Sequence, residues 1–588
     1  MNKYIITSAL PYANGKLHVG HLAGAYLPAD IYTRFLKLCG EDVIYICGTD
    51  EHGAPISIKA EAEGKSPQEI VDFYHKSIKE SFDAVFIEFD NFSGTSRPQH
   101  HQLSQEFFLN LLKNNKINTH LTKQAYCEHD KRFLPDRYVE GECHHCHSQG
   151  ARGDQCDACG KLIDANLLIN PICKICGNTP IIKDTTHWFL DLPAFSDQLK
   201  IWLETKENWK DNVKNFILGW IEEGLIERSI TRDIDWGVPV PLKEAESKVL
   251  YVWFDAPIGY ISSTIEWAEK MNKIESPSLE LGKSEKKWQD YWLDKDTRLV
   301  HFIGKDNIPF HAIIWPALLM GQEKEYTMPW DIPANEYLTL EGEKISTSRD
   351  WAIWVEDFVK DFDGELLRFV LAANAPETKD ADFSWKDFQN LVNNSLANVL
   401  GNLANRVFAF AKKNFDGVLR FPVYDSSSQS EIGFTQWSEF VDEIHTAYAE
   451  FKVRKAIKLT IDLAREGNKY FDEQKPWVVV KENPKQAEEI LFHCAELLRI
   501  ISIVFYPIMP KSMLKMREMM NLCLPLQEGI KGGLRVIAGS STNHPLLWSE
   551  IQNTPEQYII GDFEPLYKKI DDKEIETQIK HLYEKSKV

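Results

Sequence analysis

The chain has 588 residues, 43% of them hydrophobic and 12% aromatic, which excludes a disordered polypeptide. A chain this long is expected to divide into about two to four packed domains. Lys and Arg number 67 against 87 Asp and Glu, and the resulting charge of −20 argues against a general nucleic-acid coat protein while leaving open an enzyme that reads RNA through local patches. No apolar run reaches the ~18 residues of a membrane span. The N-terminus enters a strand-like segment without a charged and apolar leader, so the cytoplasm is the expected compartment.

The first predicted element is a buried strand at Tyr4-Ile5-Ile6-Thr7. Pro11, Asn14 and Gly15 mark a tight turn, after which a helix opens at HVGH, His18 to His21. Two imidazoles in the first turn of a helix lie beside its free N–H groups, a ready site for phosphate oxygens. A helical run, HLAGAYLPADIYTRFLKLCG, and a strand, DVIYICGTDEHG, complete a βαβ rhythm over residues 1–115 that implies a parallel sheet. Residues 116–225 break it with a Cys/His-rich stretch and an aromatic helix-like segment from Phe195 to Trp220. Strand-like runs return after Ile226, in LYVWF and RLVHFIGK, followed by a helical PFHAIIWPALLM. One nucleotide-binding sheet in two halves, 1–115 and 226–325, is therefore predicted around an insert at 116–225. Such sheets hold ligands at the C-terminal ends of their strands near a topological switch point. His18, Asp50, Trp253 and Lys305 fall at or just after predicted strand ends.

A connector over 326–385 carries KISTS, Lys344 to Ser348, a polar loop with one Lys and three hydroxyls suited to phosphate. Helical periodicity past Asp357, in NSLANVLGNLANRVFAFAKKNF and near 440–470 and 486–506, predicts a bundle over 386–545. A polar linker, NAPETKDADFSW, leads into the bundle, and Pro507 and Pro510 close its last helix. The charged tail, 546–588, reads as a solvated helix or a tether.

Of 11 cysteines, six form three CxxC pairs between Cys143 and Cys176, a metal-binding pattern in a chain without an export signal. Cys143-x2-Cys146-x9-Cys156-x2-Cys159 has the knuckle spacing of a closed, structural Zn²⁺ site. Cys173-x2-Cys176 is incomplete; Cys127 is its expected third ligand, with His129 or Asp130 as fourth. Cys39, Cys47, Cys494 and Cys523 sit singly in apolar contexts and read as core thiols.

HVGH and KISTS, in this order, resemble the HIGH and KMSKS signatures of class I aminoacyl-tRNA synthetases. ALPYANG before HVGH, YVWFDAPIGY (Tyr251 to Tyr260), HFIGKDN (His301 to Asn307) and FDEQKPWVVV (Phe471 to Val480) resemble methionyl-tRNA synthetases, over residues 3 to 545 or so. The resemblance implies an α/β protein: a Rossmann-like parallel-sheet catalytic domain, an inserted connective-peptide domain with a zinc knuckle, and an α-helical bundle that binds the anticodon. It implies a methionine–tRNA ligase that joins methionine and ATP into methionyl-adenylate and charges tRNA(Met), initiator and elongator alike. His18, His21 and Lys344 would be catalytic, and Asn14, Lys305, Asp306 and Thr347 would join them around ATP, with Mg²⁺ arriving on the nucleotide. Methionine needs a polarizable apolar slot and a carboxylate for its ammonium. Leu10, Tyr12, Trp253, Ala256, Pro257, Tyr260 and His311 would form the slot, and Asp50 would meet the ammonium. Asn402, Arg406 and Trp477 resemble the family's anticodon readers, and stacking on an exposed aromatic is how RNA loops are read.

One departure stands out. Thr347 occupies the place of the second Lys in KMSKS, leaving Arg349 as the nearest substitute cation, with a planar fork in place of a point charge. Two rival readings follow. A class I synthetase for another apolar amino acid would carry an editing insert of a few hundred residues, larger than the one here. A non-catalytic zinc-binding tRNA adaptor would explain Thr347 as decay. Both monomer and homodimer are compatible with the sequence.

Overall fold

The computed structural model describes the chain apart from residues 136–137, 153–155, 157, 160–162, 164–166, 276–284, 286, 423–434, 523–545 and 586–588. Cys523 thus lies outside the described residues. Six parallel strands form the central sheet: β1 (Lys3–Ser8), β2 (Asp42–Thr49), β3 (Asn91–Gly94), β4 (Arg298–Gly304) and β5 (Pro329–Asp331) in the order β5-β4-β1-β2-β3, and Ala334–Asn335, which also pairs with β4. Ile5, Ile6, Ile44, Ile46, Leu299 and Val300 are all buried, so the sheet is covered on both faces. Because β1 pairs with both β2 and β4, the chain leaves β1 to one side and returns on the other. The switch point lies at the C-terminal ends of β1 and β4, where HVGH and HFIGKDN begin their work.

His18 caps the helix that follows β1. That helix runs through Val19–His21, widens to a π-turn at Leu22–Tyr26, and continues as Leu27–Leu38. Two further π-segments occur, Phe310–Ile314, which carries His311, and Val392–Gly401, which runs into the helix bearing Asn402 and Arg406. Such segments interrupt α-helices most often at functional positions.

The insert is built on a long antiparallel hairpin, Ile117–Cys127 with Ile181–Leu190, and a small sheet of Val139–Glu142, Ala151–Arg152 and Ile169–Cys173. Several local expectations need correction. Of LYVWF only Leu250 is strand, at the end of Val249–Leu250; Val252–Asp255 turns into a short helix that presents Trp253 to solvent. The segment from Phe195 to Trp220 is two helices, Ser196–Glu204 and Asp211–Glu223, because Trp202 and Trp209 pack edge to face across the break. The polar stretch before the bundle is no free linker: Ala381–Phe383 pairs with Leu338–Leu340, which also pairs with Glu343–Lys344. Pro510 opens a helix, Pro510–Met519, at a position where its missing N–H costs nothing. The tail ends in a docked helix, Asp572–Lys585, with Ile575 and Leu582 buried and Tyr583 5.2 Å from the Trp351 ring. No described helix is long and apolar enough to cross a membrane.

The helical bundle meets the sheet layer over a shared apolar core, with Tyr32 and Phe35 against Phe451 and Tyr448, and over a buried guanidinium. Arg368, 1% exposed, donates to Asp30 Oδ2 at 2.7 Å, to the Val85 and Phe86 carbonyls at 3.1 Å each, and to the Ile508 and Pro507 carbonyls at 3.0 and 2.9 Å. Arg34 holds the same carboxylate oxygen at 2.9 Å. Burial alone would raise the Asp30 carboxyl, but the Arg34 and Arg368 charges and the Glu88 N–H outweigh it and hold it below the usual carboxylate range. Removing one partner of such a set strands a buried charge. Arg368→Ala should therefore lose ~3–5 kcal/mol of unfolding free energy. Urea unfolding checks this, and a loss below ~1 kcal/mol would show that the site relaxes or hydrates without cost.

Candidate active site

The two motifs are joined by backbone. Val19 N–H donates to the Ile353 carbonyl at 3.0 Å and Val355 N–H to the Leu17 carbonyl at 3.0 Å, so HVGH is laddered onto the segment that follows KISTS. Gly20 allows the close approach: a Cβ there would sit 3.0 Å from Ile345 Cδ1 and 3.1 Å from the His18 ring. The KISTS loop leaves Glu343–Lys344 and makes paired 3.0 Å hydrogen bonds between Ser346 and Trp351. It then closes in a short turn, Thr347–Arg349, with Asp350 in the left-handed region at φ 50°. Arg349 is exposed on that turn.

The histidines have defined tautomers. Gly20 N–H donates to His18 Nδ1 and His18 N–H donates to His21 Nδ1, both at 3.2 Å. A backbone N–H can only donate, so each Nδ1 is an acceptor and each Nε2 carries the hydrogen. The rings stack at 3.6 Å. Burial pushes His21 down to about 4, and burial with the His21 neighbour pushes His18 well down. At neutral pH the pair therefore offers two uncharged N–H donors, suited to phosphate oxygens.

A cleft of about 880 Å³ opens at the switch point. Of the residues singled out in the sequence, Leu10, Tyr12, Asn14, His21, Trp253 and Thr347 line it. Trp253 is 45% exposed and lies 4.2 Å from the Phe310 ring. Ala256 and Pro257 form the short turn after the Trp253 helix, with Pro257 buried. Tyr260 and His311 lie buried, joined by a 2.7 Å hydrogen bond. Asp50 is fixed in place, its N–H on the Pro11 carbonyl at 2.9 Å and its carbonyl accepting from Ala13 N–H at 2.8 Å. Burial, then the nearby Asp255 charge, raises its carboxyl well above the usual range. Lys305, Asp306 and Lys344 are outside the cleft's lining and meet around Tyr337. Lys305 stands 4.0 Å and Lys344 5.9 Å from its ring, and its hydroxyl bonds to Asp306. Lys305 is also paired with Glu336 at 2.6 Å and Asp380 at 3.2 Å.

Sequence reasoning missed several residues here. Lys59 lines the cleft, donating to the Asn14 carbonyl at 2.7 Å and to Tyr74 at 2.6 Å; nothing in its helix distinguishes it from a solvated Lys. Arg232 and Tyr251, stacked at 3.7 Å, also line it. Asp255 binds His52 Nδ1 at 2.6 Å and His100 Nε2 at 3.2 Å, which staples GTDEHG to YVWFDAPIGY. Asp255 lies inside a quoted motif, and that was the available signal.

In the insert, Cys143, Cys146, Cys156 and Cys159 converge, with Cys143–Cys159 and Cys146–Cys156 sulfur distances of 4.0 and 3.7 Å. Tetrahedral Zn–S bonds of ~2.3 Å require S···S spacings of ~3.8 Å, so the donor set fits zinc. The second cluster is Cys127, Cys173, Cys176 and Asp130, with Asp130 Oδ2 3.3 and 3.1 Å from Cys127 and Cys173. His129 is instead bonded to Asp130 Oδ1 at 2.8 Å, which selects Asp130 between the two candidates. The CxxC turns that begin at Cys143 and Cys173 share one geometry, the first Cys N–H and carbonyl bonding Ser148 and His147 in one and Asn178 and Gly177 in the other. Cys47 and Cys494 are buried, and Cys39 is half-buried.

At the far end of the molecule Asn402 donates to Asn468 Oδ1 at 3.2 Å, and Arg406 reaches the same oxygen at 3.4 Å and lies 4.4 Å from the Phe471 ring. Trp477, 42% exposed, is 6.0 Å from Phe471. The three residues share one patch.

This sheet, with HVGH at its switch point and a KISTS loop against it, has the architecture of class I aminoacyl-tRNA synthetases. The family described as tRNA synthetases class I (M) matches residues 4–408, and the anticodon binding domain of methionyl tRNA ligase matches residues 427–528. A methionine–tRNA ligase of Pyrococcus furiosus is 47% identical over 89% of this chain and 72% of its own length. One of Christiangramia forsetii is 42% identical over 99% of this chain and 81% of its own. The Mycobacterium tuberculosis methionyl-tRNA synthetase in complex with methionyl-adenylate superposes with a TM-score of 0.74 over 96% of this chain and 100% of its own, at 23% identity, a likeness of fold. The chain belongs to the methionyl-tRNA synthetase family.

Two outcomes follow from this geometry. Cys143→Ser should release metal and destabilise the insert, since a structural zinc contributes folding energy directly; elemental analysis finding no zinc in freshly purified wild-type protein would contradict it. Asp50→Asn should raise the melting temperature. A carboxyl raised in the folded state is a stability penalty at every pH above its unfolded value of about 4, and the amide removes it. If Asp50 meets the methionine ammonium, as the resemblance implies, the same change should weaken methionine binding about 10- to 100-fold, the worth of a charge-assisted contact.

Proposed function

We infer that the chain is an aminoacyl-tRNA ligase that activates methionine with ATP and transfers it to tRNA(Met). A methionine carboxylate oxygen attacks the α-phosphorus, the bond to the β-phosphate oxygen breaks, and pyrophosphate leaves. A tRNA ribose hydroxyl then takes the acyl group, losing its proton as AMP departs. The first nucleophile is already an anion, so this step needs alignment and electrostatic stabilisation rather than a base.

The roles we assign follow from position. His18 and His21 donate Nε2–H to phosphate oxygens, Lys344 brings a cation from the facing loop, and Asn14 and Thr347 line the nucleotide's path. Arg349, exposed on the same turn as Thr347, supplies the second charge of the loop. Lys305 and Asp306 reach ATP on breaking their contacts with Glu336, Asp380 and Tyr337, and Mg²⁺ enters with the nucleotide. Asp50 takes the methionine ammonium: an uncompensated buried carboxylate gains most from a cation. Leu10, Tyr12, Trp253, Ala256, Pro257, Tyr260 and His311 enclose the side chain. Zinc at Cys143, Cys146, Cys156 and Cys159, and a second ion at Cys127, Asp130, Cys173 and Cys176, would brace the insert; with every position taken by protein ligands, neither holds a reacting water. Asn402, Arg406 and Trp477 read the anticodon, with Trp477 as stacking plane. The domain limits that accompany this reading are 1–115 and 226–325 for the catalytic halves, 116–225 for the insert, 326–385 for the connector, 386–545 for the bundle and 546–588 for the tail.

The observation that carries the reading is the joining of HVGH to the KISTS segment over a cleft that also contains Leu10, Tyr12 and Trp253. Methionine-dependent ATP–pyrophosphate exchange tests it. Trp477→Ala should leave that exchange within about twofold of wild type while tRNA charging falls about 10- to 100-fold, the loss of a ~1–3 kcal/mol base stack. Equal losses in both assays would contradict the separation of the two sites.

A further inference from the structure

The hairpin of the insert reaches the cleft through one buried imidazole. His187, on the strand Ile181–Leu190, faces two residues of the segment that follows the insert. Its Nδ1 lies 2.8 Å from the Thr231 hydroxyl, and its Nε2 lies 3.0 Å from Asp233 Oδ2 and 3.1 Å from Gln124 Oε1. Against burial, the His187 and Lys248 hydrogen bonds hold the Asp233 carboxyl below the usual range, so it accepts and His187 Nε2 carries the hydrogen. Trp188 N–H donates to Thr231 Oγ1 at 3.2 Å, and in the neutral imidazole Nδ1 takes the hydrogen that Thr231 has left. Thr185 completes the set, donating to Asp233 Oδ2 at 2.9 Å and accepting from Lys248 at 2.7 Å. Between Thr231 and Asp233 stands Arg232. Alternate side chains of an extended segment leave on opposite sides, so a residue between two anchors on one side points to the other. That side is the cleft: Arg232 lines it, with its guanidinium 3.7 Å over the Tyr251 ring and hydrogen bonds to the Thr231 carbonyl at 2.9 Å and Ser229 Oγ at 3.2 Å. Tyr251 hangs on the same hairpin by backbone. Its N–H donates to the Ile230 carbonyl at 2.8 Å, and Ile230 N–H donates to the Trp188 carbonyl at 2.8 Å.

We propose that His187 is a positioning residue for the cleft, acting from the insert through Thr231 and Asp233 to fix Arg232 over Tyr251. This rests on the function inferred above, in which both methionine and ATP bring anionic groups into the cleft. A cation set in place before they arrive costs no reorganisation when it meets them. A long Arg side chain keeps its place only if its backbone does, and one imidazole clamps that backbone on both sides. The insert is then part of the cleft wall and more than an appendage to it.

A double-mutant cycle in methionine-dependent exchange tests the clamp. His187→Leu should lower kcat/KM about 10-fold, the worth of one to two buried hydrogen bonds. Thr231→Val, which keeps the branched shape and removes the hydroxyl, should act in the same direction, and Thr231→Ser should restore the wild-type value. Arg232→Gln gives the reference loss. Adding His187→Leu to Arg232→Gln should cost less than about a further twofold, because residues that act through one another are not additive. If His187→Leu fails to fold, Thr231→Val takes its place in the cycle. A role confined to holding the hairpin would lower the melting temperature and leave the kinetics of the folded enzyme at wild type. That result, losses that multiply in the double variant, or wild-type kinetics in Arg232→Gln would each overturn the proposal. Absence of methionine-dependent exchange in the wild-type protein would overturn the functional reading, and the proposal with it.

Discussion

Arg368 is the joint on which the arrangement of this molecule depends. Its guanidinium satisfies a buried carboxylate on the helix after HVGH, two carbonyls of the turn before β3, and two carbonyls at the end of the long bundle helix Pro484–Val504. Asp30, Val85, Pro507 and Ile508 are buried, and buried polar groups need partners. A planar fork with five donors is the one side chain able to serve them together. The helices that carry Asn402, Arg406 and Trp477 share one apolar core with the helix after HVGH, and Arg368 adds a polar fixture at that junction.

At the other end of the same helix, rigidity is again obtained from backbone. HVGH is capped by its own histidines and laddered to residues 353–355, so the two imidazoles sit in a fixed frame. Donors oriented in advance require no reorganisation as charge develops beside them. The lysines differ: Lys305 and Lys344 share Tyr337, and Lys305 is held besides by Glu336 and Asp380.

Much of this was legible in the residues. Buried β-branched runs gave the parallel strands, CxxC spacing gave the knuckles, and Pro11, Asn14 and Gly15 gave the turn into HVGH. What escaped detection depends on pairing across distance. LYVWF has strand propensity throughout, but its second half is turned into a helix whose Asp255 is claimed by His52 and His100. Ala381–Phe383 reads as linker because its partner Leu338–Leu340 lies far back in the chain. The charged tail hides a two-residue apolar stripe, Ile575 and Leu582, sufficient for docking only where a matching groove exists. Lys59 and Arg232 carry no local mark at all; a cleft wall is a property of the folded surface.

The three π-segments, Leu22–Tyr26, Phe310–Ile314 and Val392–Gly401, each place more residues in a turn than the α-helix around them. One residue corresponds to ~100° of helical rotation. Deleting a single residue inside any of them would return the helix to uniform winding with its two flanks facing nearly as they do now, because the wider turn has already absorbed the extra residue. Deleting one from the α-helical stretches on either side has the opposite effect: everything beyond the cut swings about a quarter turn, and the apolar stripe beyond it leaves the core. The π-segments are therefore the places in these helices where a change of length stays local, and elsewhere in them residue count is held as firmly as residue type.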